Sequence, residues 1–191
     1  MPTFSVDWFT EHIPFWHEIL GDRTDQRVLE IGSLEGRSTL WFLDNVVGES
    51  GHIWCVDPWE SYPEFPDMHQ GLWKDIEDNF DQNVKGYANL TKIKAHSSEA
   101  LPYLMGIIKR PFDIIYVDGS HMTKTCLMDM VMGWEMLAVG GIMIVDDYEW
   151  DTRDKKQNPK LAANSFIECY EGHCKALYSE RQVMLKKLEV A

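Results

Sequence analysis

Val28-Leu29-Glu30-Ile31-Gly32-Ser33-Leu34-Glu35-Gly36-Arg37-Ser38-Thr39 is the stretch that decides the fold. Val28 to Ile31 is an apolar run broken by one acid and closed by Gly32. Gly36 follows, and an apolar helical pattern (Leu40, Trp41, Leu43, Val46, Val47) begins at once. This reads as a buried parallel strand, a tight glycine turn and a helix, the opening βα unit of a doubly wound sheet. The two glycines let backbone approach a ligand, and the helix start offers it free N–H groups. Glu30 needs a partner, because an acid in a core strand is costly to bury alone; a ligand hydroxyl or a cation would serve. Taken alone, the stretch also fits a strand-turn-helix with no ligand. A Walker loop is excluded, since no Gly-Lys-Ser/Thr follows, and the dinucleotide pattern G-x-G-x-x-G fails at Leu34.

The chain of 191 residues is expected to form one domain with a substantial core. A formal charge of −13 argues against nucleic acid and anionic membrane as partners, because phosphate binding needs clustered Lys and Arg. No apolar run approaches the roughly 20 residues of a membrane span, and Met1-Pro2-Thr3 leads into no signal peptide. Cys55, Cys126, Cys169 and Cys174 lack metal-knuckle spacing and read as free thiols of a cytoplasmic protein.

Residues 5–20 read as an amphipathic helical lead-in interrupted at Pro14. After the first unit, His52 to Val56 is a second strand ending at Asp57. A nucleotide-binding doubly wound fold places an acid for the ribose hydroxyls at about this distance beyond the glycine turn. The aromatic, proline-rich stretch 58–73 reads equally as a loop over a ligand or as packing against a partner chain, so a homodimer stays open. Residues 72–86 are expected as a helix and Leu90 to Ala95 as a third strand, followed by His96-Ser97-Ser98-Glu99 and a helix over 98–109. Phe112 to Val117 is a fourth strand ending in Asp118-Gly119-Ser120-His121. A Met-rich helix over 123–138, ended by Gly140-Gly141, leads to a fifth strand, Ile142 to Val145, and then Asp146-Asp147-Tyr148. A helix over 160–171 precedes two short strands, Lys175 to Tyr178 and Gln182 to Leu188.

Five strands alternating with helices and a closing pair of strands define an α/β fold. It is a doubly wound, mostly parallel sheet with a C-terminal antiparallel hairpin. Ligands of such sheets bind outside the carboxyl ends of the strands. Glu30 with Gly32, Asp57, Ser97 with Ser98, Asp118 with His121, and Asp146 with Asp147 all fall there.

These segments together resemble the class I S-adenosylmethionine-dependent methyltransferases, whose fold is Rossmann-like. The closer likeness is to the metal-dependent O-methyltransferases of the catechol, caffeoyl-coenzyme A and macrocin types. Glu30-x-Gly32-x-x-x-Gly36-x-Ser38 resembles their first motif in its catechol form, and Asp57 matches the acid that holds the ribose diol. Ser97 and Ser98 resemble the adenine-binding segment. The resemblance implies that Glu30, Gly32, Gly36, Ser38, Asp57, Ser97, Ser98 and Asp118 meet the cofactor. It also implies that Asp118, Asp146 and Asp147 hold a divalent cation, Mg²⁺ foremost. Where catechol-type enzymes carry a lysine base, this chain has His121; where macrocin-type enzymes place an acid, it has Ser120.

The chemistry so implied is methyl transfer to a hydroxyl of a small molecule, sugar or polyphenol-like. A hydroxyl of pKa about 10 is a poor nucleophile at neutral pH, so a base and a cation would both help. Carboxylates suit hard cations, and histidine, ordinarily near neutral pKa, suits the base. Simpler readings remain beside these: the Asp146-Asp147 pair as a loop cap, His121 as a helix-entry residue, Ser97 and Ser98 as an N-cap. A nicotinamide-dependent oxidoreductase, or a binding protein that keeps the cofactor fold without turnover, are the alternatives of function.

Overall fold

A helix that returns the chain to the same edge of a sheet makes consecutive strands parallel. The computed structural model, which describes residues 2–60, 75–149, 154–179 and 181–189, shows this repeated. The strands are β1 (Arg27–Ile31), β2 (His52–Asp57), β3 (Leu90–Lys94), β4 (Phe112–Val117), β5 (Leu137–Val145), β6 (Cys174–Tyr178) and β7 (Val183–Lys187). They form one sheet in the order β3-β2-β1-β4-β5-β7-β6. The first five are parallel, and β7 lies antiparallel between β5 and β6.

The helices are α1 (Ile13–Leu20), α2 (Arg37–Phe42), α3 (Ile76–Asn83), α4 (Ser97–Ile107), α5 (Thr123–Met136) and α6 (Pro159–Cys169). Alternate strand residues face opposite ways, so the sheet builds two cores. On one face Leu29, Ile31 and Ile115 pack with Leu101 of α4, Met130 of α5 and Phe166 of α6. On the other, Val28, Ile53 and Ile114 pack with Trp16 of α1, Phe42 of α2 and Phe80 of α3. Each such fully buried side chain contributes about 1.5–3 kcal/mol relative to exposure. The four cysteines are free.

Four local expectations are corrected. The lead-in is not one helix broken at Pro14. A 3₁₀ turn, Thr10–His12, precedes α1, and Pro14 lies in the first turn, where its missing N–H costs nothing. Gly140 and Gly141 do not end a helix. The helix stops at Met136 and both glycines lie inside β5, where pairing with β4 slips between Phe112 and Ile114. Ser97 and Ser98 do not cap α4, because His96 holds the cap position without a side-chain bond and Ser97 is the first helical residue. The helix expected over 72–86 is shorter, Ile76–Asn83; its first expected turn, and most of the stretch 58–73, lie outside the described residues.

Candidate active site

The site grows from the turn after β1. Gly32 takes φ +89°, and a Cβ there would stand 2.0 Å from the Asp118 carbonyl oxygen, so only glycine lets the β1 and β4 ends approach so closely. Gly36, at φ +81°, is the N-cap of α2, and a Cβ there would stand 3.0 Å from the Phe80 ring. Glu30 is wholly buried, and the partner it requires comes from the chain itself. Ser38 Oγ donates to Oε1 at 2.6 Å; Ser33 Oγ and Thr39 Oγ1 donate to Oε2 at 2.6 and 2.5 Å. Burial pushes the Glu30 carboxyl above its usual range, and the three hydroxyls pull it back. Glu30 thus braces the turn from beneath.

Asp57 clamps the same turn from the side. Its Oδ2 accepts from the N–H groups of Ser33 (2.9 Å) and Leu34 (3.0 Å), and Oδ1 from that of Trp59 (2.6 Å). Burial raises the Asp57 pKa, and these amides oppose the rise. Trp59 Nε1 closes the clamp by donating to the Leu34 carbonyl at 2.8 Å. Leu34, Trp59 and Asp147 have positive φ, as does Asp25. Three of these four strained positions border the site, which is where such strain usually persists.

A cavity of about 340 Å³ opens beside the turn. Gly32, Ser38, Asp57, Asp118, His121, Asp146 and Asp147 all line it, so the strand ends do converge. Its far wall comes from the N-terminal segment, through Phe4, Trp8, Phe9 and His12. Asp118 and Asp146 are linked by the buried Tyr116 hydroxyl, which bonds to both carboxylates, at 2.9 Å to Asp118. Gln182 Nε2 donates to Asp146 Oδ2 at 2.7 Å, and His12 Nε2 stands 3.8 Å from Oδ1. Asp147 instead pairs with His121, Nε2 to Oδ2, at 2.5 Å. Burial first, then the charges of Asp146 and Asp147, hold Asp118 well above the ordinary carboxylate range. Burial and Asp147 raise Asp146 likewise.

Ser97 and Ser98 line a second cavity of about 360 Å³, which meets the first at Gly32 and Gly119. Glu30 and Gly36 line neither and act through the turn. Thr39, Tyr116, His12, Arg37 and Gln182 are site residues that sequence reading missed. Only Thr39 carried a sequence signal, one residue after Ser38 in the first motif.

Carboxylates suit a hard cation, and Asp118, Asp146 and Asp147 all line the cavity, the first two with the charged form disfavoured by burial and by neighbouring acids. As they stand, however, no three ligating side chains among the described residues are grouped closely enough to hold a metal. Tyr116 and Gln182 hold Asp146, and His121 holds Asp147.

The methyltransferase-domain family matches residues 29–148, from β1 to just beyond β5. The chain belongs to that family. The match covers the carboxyl ends of β1 to β5, and it removes the nicotinamide alternative. An O-methyltransferase, ankF, of Aspergillus thermomutatus is 30% identical over 129 residues, 68% of this chain and 48% of that protein. The chain spans about half the length of the curated relatives it matches. Among solved structures, the O-methyltransferase from Bacillus cereus in complex with S-adenosylhomocysteine superposes with TM-score 0.72. It is 15% identical, over 96% of this chain and 84% of its own. The MycE methyltransferase, solved with Mg, S-adenosylhomocysteine and mycinamycin VI, superposes with TM-score 0.62 at 17% identity, over 98% and 51%. The class I methyltransferase fold expected from the sequence is therefore borne out. Among the described residues no helix is long and apolar enough to cross a membrane.

Proposed function

We propose that this chain is an S-adenosylmethionine-dependent O-methyltransferase acting on a hydroxyl of a small, sugar or polyphenol-like molecule. The observation that carries the reading is the His121–Asp147 pair at 2.5 Å, opening onto the same cavity as the glycine turn and Asp57. Gly32, Ser38, Asp57 and Asp118 line the cofactor's way through the first cavity, and Ser97 and Ser98 take its adenine end in the second. Bound S-adenosylmethionine supplies an electrophilic methyl group, so the protein's work is to position and deprotonate the acceptor. His121 takes the hydroxyl proton, while Asp147 orients the imidazole and stabilises the imidazolium that results. Asp118, Asp146 and Asp147 would hold a divalent cation, Mg²⁺ first among them, which supplies polarisation of the acceptor oxygen when bound. The domain is read as spanning residues 1–191, without nucleic acid or membrane as partner, in the cytoplasm.

Titration with S-adenosylhomocysteine and with NAD, then methyl transfer to a panel of catechols and sugars with and without chelator, tests this. Binding of NAD alone would overturn it. Turnover insensitive to chelator would keep the transferase and remove the cation.

A further inference from the structure

The far wall of the first cavity is built by a short segment whose residues alternate in role. Phe4, Val6 and Trp8 line the cavity, while Thr3, Ser5 and Asp7 make the polar bonds that hold the segment down. Side chains two apart share a face of an extended chain, so the alternation sorts wall from anchorage. The anchors lie on the glycine turn, at the start of α2 and on α3. The Thr3 N–H donates to Asn83 Oδ1, and Asn83 Nδ2 donates to the Thr3 carbonyl, each at 2.8 Å. Asn83 Nδ2 also donates to the Glu35 carbonyl at 2.8 Å. Asp7 meets Arg37 Nη1 at 3.3 Å, and that guanidinium stacks on Phe4.

Glu35 holds the middle of the segment. Its Oε2 accepts from the Ser5 N–H at 2.6 Å, and its Oε1 from the Ser5 hydroxyl at 2.8 Å. Asn79 Nδ2 of α3 fixes Oε1 at 2.7 Å. Glu35 is only 2% exposed, and a carboxylate so buried is costly unless its oxygens are bonded. Two of these three donors come from Ser5, itself exposed at the surface. The burial of Glu35 and the position of the segment therefore depend on each other. Along the chain Glu35 follows Leu34, whose N–H is held by Asp57, so its carboxylate moves with the turn.

We propose that residues 3–9 are a strap over the cavity and that Glu35 is its latch, a positioning residue through which a cofactor seated on the glycine turn closes the strap. Closure of this kind shuts water out of a site and sets the wall that an acceptor meets. The proposal rests on reading the first cavity as part of the S-adenosylmethionine site, and the experiment separates the two.

Amide exchange of the full chain, followed by NMR, reads the latch, because a bonded N–H exchanges only when its bond opens. S-adenosylhomocysteine should slow exchange at Ser33 and Leu34 of the turn and, through Glu35, at Thr3 and Ser5. Glu35→Ala should speed Ser5 exchange by about 10- to 100-fold, for two lost bonds to a charged acceptor. In that variant the ligand should still slow Ser33 and Leu34 but no longer Thr3, whose own bonds to Asn83 remain. Ser5→Ala, at an exposed position away from the turn, should speed exchange at its own amide by about 3- to 10-fold and weaken the protection of Thr3. It carries the test if Glu35→Ala does not fold. Turn amides that slow while Thr3 and Ser5 do not would overturn the latch and leave the cofactor site standing. Undiminished protection of Thr3 in the variants would overturn it as well, placing the coupling in Asn83. Turn amides indifferent to S-adenosylhomocysteine would overturn the cofactor reading and the latch with it.

Discussion

Ser33 and Asp57 lie 24 residues apart in the chain, yet the Ser33 amide hydrogen points at Asp57 Oδ2 across 2.9 Å. Through this bond and its neighbour from Leu34, the end of β2 sets the shape of the turn after β1. Asp57→Ala should weaken S-adenosylhomocysteine binding by roughly 1–3 kcal/mol, from lost charge-assisted bonds. It should also lower the melting temperature without ligand, since three amides lose their acceptor. Titration and thermal unfolding read the two effects separately. Unchanged affinity would remove Asp57 from the cofactor site.

Glu30→Ala should destabilise the fold by about 2–4 kcal/mol, because Ser33, Ser38 and Thr39 would be buried without their acceptor. Glu30→Gln keeps an acceptor oxygen and should cost less. Denaturant unfolding of both variants measures the difference; equal costs would mean that shape, not hydrogen bonding, is what Glu30 provides.

Asp118 is raised by burial and by Asp146 and Asp147. For an acid raised in the fold, the protonated form is favoured. Its contribution to stability is thus present at low pH and is lost as pH rises from the ordinary carboxylate range through the folded value. Asp118→Asn should therefore melt higher than wild type in chelator, with the gain growing as pH rises above the ordinary carboxylate range. If a divalent cation binds, adding Mg²⁺ should stabilise wild type and not the variant. A wild-type melting temperature indifferent to Mg²⁺, Mn²⁺ and Ca²⁺ would remove the cation from the mechanism.

Asp129, on α5, offers a sharper pH test. Both its carboxyl oxygens are buried without a hydrogen-bond partner, and burial pushes its pKa up to about 7. The Ser97 hydroxyl tempers that rise from outside bonding geometry. Stability held by the protonated acid should drain away as pH climbs from about 4 to 7. Asp129→Asn should flatten that fall and be the more stable protein above pH 7. Parallel melting curves for the two proteins across this window would contradict the assignment.

His121→Ala should lose the roughly 10²–10⁴-fold in turnover typical of a general base while cofactor affinity holds. Asp147→Asn, which keeps the shape but not the charge beside the imidazole, should lose less. Single-turnover rates with saturating cofactor check this, and full activity in His121→Ala would place the base elsewhere.

The first motif, Asp57, and the acids after β4 and β5 were readable in the sequence because chain-local rules govern them. Apolar runs fix strands, glycines fix turns, and a doubly wound sheet brings its strand ends together whatever the side chains are. The partners of those residues were not readable. Glu30 was expected to meet a ligand or cation, and only the fold shows Ser33 of the turn and Ser38 and Thr39 of the first turn of α2 bringing three hydroxyls onto it. Tyr116 reads as one more apolar strand residue, and its hydroxyl gains meaning only because β5 sets Asp146 beside it. His12 and Gln182 lie outside the span that carries the resemblance. They reach the site because α1 packs under the sheet and β7 inserts beside β5, as the Trp16–Gln182 bond at 2.7 Å records across 166 residues. Contacts over such separations depend on how the layers pack, and no periodicity within one segment encodes them. The strand ends belong to the sequence, and the charge balance among them belongs to the tertiary structure.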